Sequence, residues 1–224
     1  MAKCKSVVEL FYDVVSPYSY ITFEALIRYN KKFTSMDLKL KPFYLSAVMG
    51  ATNNSPPGLV PARAQYMGKD LYRLSKYYDI PFKWPKDIGN VMFQKGTLST
   101  QRLLTSIEKH CPENLEAVSR ELFLRVWYKD EDVSTSNSLK EACNTIGISQ
   151  DKIETIVNDI TNSEIKQKLR DTTQKALDFG AFGAPTYVGH FSNDPRMFFG
   201  SDRLFMLAHY LNEQYPGPLK ELKA

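Results

Sequence analysis

The tetrad Ser16-Pro17-Tyr18-Ser19 places two hydroxyls at the spacing of a redox Cys-x-x-Cys pair, with oxygen where sulfur would sit. It follows the hydrophobic run Phe11-Tyr12-Asp13-Val14-Val15, so it reads as the loop by which a strand feeds a helix. A serine directly before a proline is a favoured helix start, the serine capping and the proline at the first helical position, for about 1 kcal/mol over alanine. A helix N-terminus also carries free N–H groups and about half a positive charge, which suits an anion, and thiolates are stabilised there. A serine hydroxyl can donate one hydrogen bond to a sulfur anion but cannot form a disulfide with it. Ser16 is therefore either a cap alone, or a cap that also holds a thiolate brought by a ligand.

Three further stretches carry candidate chemistry. In Gly-Ala-Phe-Gly-Ala-Pro-Thr-Tyr (180–187), Pro185 stands just before a strand-like segment. Either it is a cis-proline beside the Ser16 loop, with the backbone of Ala184 offered for strand-like pairing with an extended peptide, or it is a trans proline opening an edge strand. Gly180 and Gly183 mark a tight approach, and no Gly-x-Gly-x-x-Gly phosphate loop is present. In Phe-Phe-Gly-Ser-Asp-Arg-Leu (198–204), Ser201 or Asp202 would make a good N-cap. Alternatively, free N–H groups there bind a carboxylate while Asp202 pairs with an ammonium. Asn54 and Arg63 bracket a proline-rich loop, where the arginine is either a surface charge or the holder of a second carboxylate. Taken together, these groups ask for a thiol, a peptide amide and two carboxylates, one of them next to an amine. Glutathione has all of these.

The elements that must position them follow from periodicity. Residues 7–14 and 37–44 read as strands, the first apolar on both sides and hence central. Residues 17–32 read as a helix with Tyr20, Phe23, Leu26 and Ile27 on one face. Strand, helix, strand makes a βαβ unit, expected to be right-handed. From about 60 to 180 the periodicity is helical throughout. One of those helices is predicted to start with a capping box, Thr161 with Glu164, and to stop at Gly180. A β-hairpin through the turn Ser-Asn-Asp-Pro and a final helix bearing Leu204, Leu207, Ala208 and Leu211 close the chain. Joining the first and last parts into one sheet gives an α/β, thioredoxin-like fold with an α-helical insertion: 1–59 and 181–224 for the fold, 60–180 for the insertion.

Bulk properties narrow the function classes. A net charge of +4 over 224 residues, with acids and bases interspersed, does not argue for nucleic acid. Cys4, Cys111 and Cys143 lack disulfide or zinc spacing and read as reduced thiols; no metal site is expected. The N-terminal Met-Ala-Lys-Cys-Lys-Ser-Val-Val-Glu-Leu has no apolar signal core, and the uncharged stretch 42–62 holds four prolines, so no membrane insertion is expected. The terminal Glu-Leu-Lys-Ala is not a Ser-Lys-Leu address.

The segments ELFYDVVSPYSY, NNSPPGLVP, GAFGAPTYV and FFGSDRLFMLAHYL, in that order across nearly the whole chain, resemble the kappa-class glutathione S-transferases. These are relatives of 2-hydroxychromene-2-carboxylate isomerases and bacterial disulfide oxidoreductases. The resemblance implies glutathione as a co-substrate with no permanently bound cofactor, a small hydrophobic electrophile as second substrate, a role in detoxification, a homodimer, and a mitochondrial or peroxisomal location. It implies that Ser16 activates the thiolate and that Pro17 and Tyr18 line the loop through their backbone. By the same resemblance Asn54 and Arg63 approach the glycyl end, Ala184 and Pro185 face the cysteinyl unit, and Ser201 and Asp202 hold the γ-glutamyl head. A glutathione-dependent isomerase and a non-catalytic peptide-binding module are the alternatives.

Overall fold

The computed structural model describes residues 5–192 and 194–222. Cys4, Asn193 of the expected turn and the last two residues of the Glu-Leu-Lys-Ala end lie outside them. A four-stranded mixed sheet runs in the order β2-β1-β3-β4. β1 (Ser6–Tyr12) pairs parallel with β2 (Met36–Pro42) and antiparallel with β3 (Thr186–Phe191), which turns back into β4 (Asp194–Phe199). β1 is central and carries the β-branched and aromatic residues that suit a strand covered on both faces. Both early strands end two residues before the expected limits.

α1 (Pro17–Lys32) runs to the predicted bounds. Ser16 Oγ accepts the Ser19 N–H at 3.1 Å, Pro17 takes the first helical position, and Lys31 and Lys32 sit in the last turn, where the helix dipole favours cations. Tyr20, Phe23, Leu26 and Ile27 are all buried. After β2 come α2 (Leu45–Ala51), α3 (Pro61–Tyr78), a π-helical stretch (Asn90–Lys95), α4 (Leu98–His110) and α5 (Leu115–Leu124), which winds into a π-helical turn (Arg125–Lys129). α6 (Ser136–Thr145), α7 (Gln150–Asp159) and α8 (Ser163–Asp178) complete the helical run. α9 (Leu204–Tyr210) follows the hairpin and buries Leu204, Leu207 and Ala208, with Leu211 just beyond.

One detail corrects the sequence reading. α8 is capped not by Thr161 but by its neighbour Asn162, whose Oδ1 accepts the Glu164 N–H at 2.9 Å. The Thr161 hydroxyl instead donates to the Asn158 carbonyl. Asn162 stands one residue closer to the free N–H and its amide oxygen accepts it, which the Thr-x-x-Glu pattern does not reveal. At the other end Gly180, at φ +90°, stops the helix as expected.

The two faces of the sheet are covered differently. On one, Val8, Leu10, Tyr12 and Tyr187 join α1, α9 and the helices of the insertion in a continuous core. On the other, Phe11 and Val188 pack with Phe43, Leu45 and Val48 and with Ala176 of α8. α8 thus covers the sheet although it falls within residues 60–180. Among the described residues no helix is long and apolar enough to cross a membrane.

Candidate active site

Every candidate residue read from the sequence lines one cavity of about 570 Å³: Ser16, Pro17, Tyr18, Asn54, Arg63, Ala184, Pro185, Ser201 and Asp202. The topology accounts for the convergence. The carboxyl end of central β1 delivers Ser16, and its antiparallel neighbour β3 begins beside it, so the loop before β3 brings Ala184 and Pro185 alongside. The Ala184–Pro185 peptide bond is cis. β4 ends at the same edge, and Gly200 donates its N–H to the Pro185 carbonyl at 3.0 Å, which sets Ser201 and Asp202 against the proline. Gly200 has φ +87°, a left-handed conformation that strains any residue with a Cβ, so this corner favours glycine.

Ser16 is buried and its hydroxyl is used twice. It accepts the Ser19 N–H at 3.1 Å as the cap of α1 and donates to the Ala184 carbonyl at 3.3 Å. The Tyr20 N–H goes to the Ser16 carbonyl at 3.2 Å, and Pro17 has no N–H. The Tyr18 N–H is therefore the donor of the first turn left over for an anion. No acidic residue stands in that turn to oppose one.

The loop between α2 and α3 walls the opposite side. Asn54 Nδ2 donates to the Phe182 carbonyl at 2.7 Å, its Oδ1 accepts the Ser55 N–H at 2.8 Å, and its own N–H goes to the Met49 carbonyl at 2.9 Å. It therefore ties this wall to the loop before β3. Arg63 is exposed on the first turn of α3. Ser201 is buried and Asp202 exposed beside Arg203. Neither caps α9, correcting the expected cap: the helix begins two residues later, behind Arg203.

Beyond Arg63, the sequence reading missed the contribution of α3. Tyr66, Met67, Asp70 and Leu74 line the cavity, and Tyr18 Oη donates to Asp70 Oδ2 at 2.9 Å, joining α1 to α3 across it. Burial and the Asp70 carboxylate push the Tyr18 phenol upward, so it stays protonated and acts as a donor. Phe182 and Phe199, with ring centroids 4.3 Å apart, add an apolar wall. The apolar stripe of α3 is legible as helical periodicity, but which cavity its flank borders is a matter of tertiary packing.

Cys111 and Cys143 lie far from this chemistry in character. Both are buried, and burial raises both thiol pKa values, that of Cys143 to about 12, which leaves them poor nucleophiles at neutral pH.

Residues 7–212 match the DSBA-like thioredoxin domain family. The chain is 42% identical over 212 residues to glutathione S-transferase kappa 1 of Homo sapiens, covering 95% of this chain and 93% of that protein. It is 40% identical over 219 residues to glutathione S-transferase kappa 1 of Rattus norvegicus, covering 98% and 96%. Among solved structures, 2-hydroxychromene-2-carboxylate isomerase aligns over 92% of this chain and 94% of its own with a TM-score of 0.72. At 21% identity, that likeness is one of fold. A cavity built at the carboxyl end of the central strand, around a helix-capping serine and a cis-proline, thus stands in a chain that belongs to the DsbA-like thioredoxin family and, within it, to the kappa-class glutathione S-transferases.

Proposed function

We propose that this glutathione transferase seats the cysteinyl sulfur at the N-terminus of α1 and directs the thiolate at a small hydrophobic electrophile, without a permanently bound cofactor. The observation that supports this most is the double use of Ser16. Its bond to the Ala184 carbonyl is long, at 3.3 Å, and can be exchanged at little cost. When glutathione enters, the hydroxyl turns its hydrogen to the sulfur, and the freed Ala184 carbonyl accepts the cysteinyl N–H. The Ser19 N–H continues to donate to Ser16 Oγ, which makes the hydroxyl a better donor. The Tyr18 N–H and the dipole of α1 complete the anion site. The thiol proton leaves to solvent. The sulfur then forms a C–S bond to the electrophilic carbon. The displaced electron pair departs with a leaving group, or moves into a conjugated system that takes up a proton.

The ends of the tripeptide are held by charge. Asp202 meets the γ-glutamyl ammonium and Ser201 the adjacent carboxylate, while Arg63 and the second amide hydrogen of Asn54 meet the glycyl carboxylate. Tyr66, Met67, Leu74 and the Phe182–Phe199 pair offer apolar surface to the electrophile. The same reading carries assembly as a homodimer, a part in detoxification, and a mitochondrial or peroxisomal location.

The test is a titration of the ultraviolet thiolate absorbance of glutathione bound to wild type and to Ser16→Ala. A hydroxyl bond to an ionised sulfur is worth about 1.5–3 kcal/mol, which is about one to two pKa units. The wild type should hold the thiol well below its free value, and the alanine variant should return it toward that value. Conjugation should fall about ten- to a hundredfold while much of the glutathione affinity remains. Equal thiol pKa and equal turnover in the two proteins would remove Ser16 from this role and leave it a helix cap.

A further inference from the structure

A second cavity, of about 490 Å³, is also bordered by α1 and α3 but shares no lining residue with the first. At its floor lies Arg28, only 2% exposed. Arg28 Nη1 donates to the carbonyls of Tyr78 (2.5 Å) and Pro218 (3.0 Å), while its Nε has no partner among the described residues. The carboxylate beside it, Glu24, is taken by Arg120, whose Nε donates to it at 2.7 Å. Burial pulls the Arg28 guanidinium down, and Glu24 only partly offsets this against the repulsion of Arg120. Arg120 also reaches the partly exposed Glu116 from Nη2 at 3.1 Å. Arg28, held by carbonyls only, is therefore the guanidinium without a carboxylate of its own, and a buried cation without a counter-ion is costly.

The rim repeats the pattern. Lys76 Nζ stands 5.6 Å from the centroid of the Tyr72 ring, and Lys83 Nζ 4.6 Å from that of Tyr128. Tyr72 and Tyr128 are 62% and 41% exposed. In all, four cations and two carboxylates, Glu24 and Asp79, face the cavity, together with the rings of Tyr20, Tyr72, Phe82 and Tyr128. A cavity of this size takes a small organic molecule. Its rings call for an apolar, flat body, and its charge for a negative head.

We propose that this cavity is a second ligand site, separate from the glutathione cavity, for an aromatic anion bearing one carboxylate or sulfonate. The aromatic body lies against Tyr72, Phe82 and Tyr128. The head meets the surplus positive charge of Arg28, Lys76 and Lys83.

The probe is 8-anilinonaphthalene-1-sulfonate, titrated by its fluorescence against the full chain with S-hexylglutathione present at saturation to fill the first cavity. One saturable equivalent should remain bound. The double variant Lys76→Glu/Lys83→Glu, altered at the rim and not in the core, should bind the probe at least tenfold more weakly. Its circular dichroism and S-hexylglutathione affinity should be unchanged. Complete displacement of the probe by S-hexylglutathione would assign the binding to the first cavity and overturn the proposal. So would equal probe affinity in the double variant. Loss of the site as protein concentration rises and the chain self-associates would also overturn it, because the face would then belong to a second copy.

Discussion

Ser16 can serve a bound thiolate because its hydroxyl is held by one backbone group and only loosely engaged by another. The cap bond from the Ser19 N–H fixes the oxygen, and the bond to the Ala184 carbonyl is the one a ligand displaces. Asn54 works differently: it is a strut. Its three bonds, to the Phe182 carbonyl, the Ser55 N–H and the Met49 carbonyl, hold the loop after α2 against the loop before β3. Asn54→Ala removes the two side-chain bonds, each worth about 1 kcal/mol, and lets the far wall drift. The expected result in steady-state kinetics is a glutathione KM raised about fivefold to thirtyfold with kcat nearly constant, since the loss falls equally on ground and transition states. A fall in kcat at unchanged KM would place Asn54 in the chemistry instead. At this scale the sequence is informative where a residue type has few reasons to occur, as with Ser before Pro or Pro before a strand. It is silent on Asp70 and Tyr66, ordinary residues of a solvent-facing helical pattern that acquire a role only when α3 lies beside α1.

The elements that aim Ser16 depend on one buried carboxylate. Asp13, fully buried between β1 and α1, accepts the Val15 N–H at 3.1 Å, the Leu45 N–H at 3.0 Å and the Thr97 hydroxyl at 2.7 Å. Burial pushes its carboxyl upward while these donors favour the ion. It thereby joins the end of β1, the start of α2 and the start of α4. Asp13→Ala strands three buried donors at about 1–3 kcal/mol each. Urea denaturation should show a loss of about 3 kcal/mol or more, and a loss below about 1 kcal/mol would mean water replaces the carboxylate. Helix limits were legible where a cap and a proline coincide, as at Ser16-Pro17. They were not where neighbours compete: Asn162 displaces Thr161, and α9 starts behind Arg203 instead of at Ser201. No periodicity argument exposes Asp13. A charged residue inside an apolar run looks like a strand-end polar residue until its donors, two of them from distant parts of the chain, are in place.

For the molecule as a whole, the helical insertion and the sheet are interlocked at the approach to the site. Three consecutive residues at the end of β1 are each gripped by the insertion. Tyr12 Oη pairs with Ser119 Oγ at 2.6 Å, Asp13 accepts from Thr97, and Trp127 Nε1 donates to the Val14 carbonyl at 2.8 Å. Around these bonds, Leu10 and Tyr12 of the sheet, Phe23 of α1, Leu103 and Leu104 of α4 and Phe123 and Trp127 belong to one buried cluster. Tyr12, Phe23 and Phe123 stand with ring centroids between 5.3 and 5.9 Å of one another. A division of the chain at residues 60 and 180 describes its sequence order, but this core has no plane along which to divide. The two parts should therefore open as one unit. Hydrogen exchange followed by mass spectrometry under increasing urea should show peptides of β1, β3, α4 and α5 losing protection together. Trp127→Phe, which strands the Val14 carbonyl and leaves a gap beside Phe82, should shift all four by the same amount. If the helices exchanged early while β1 and β3 stayed protected, the insertion would be an independent folding unit, and its hold on residues 12–14 would be incidental to where Ser16 points.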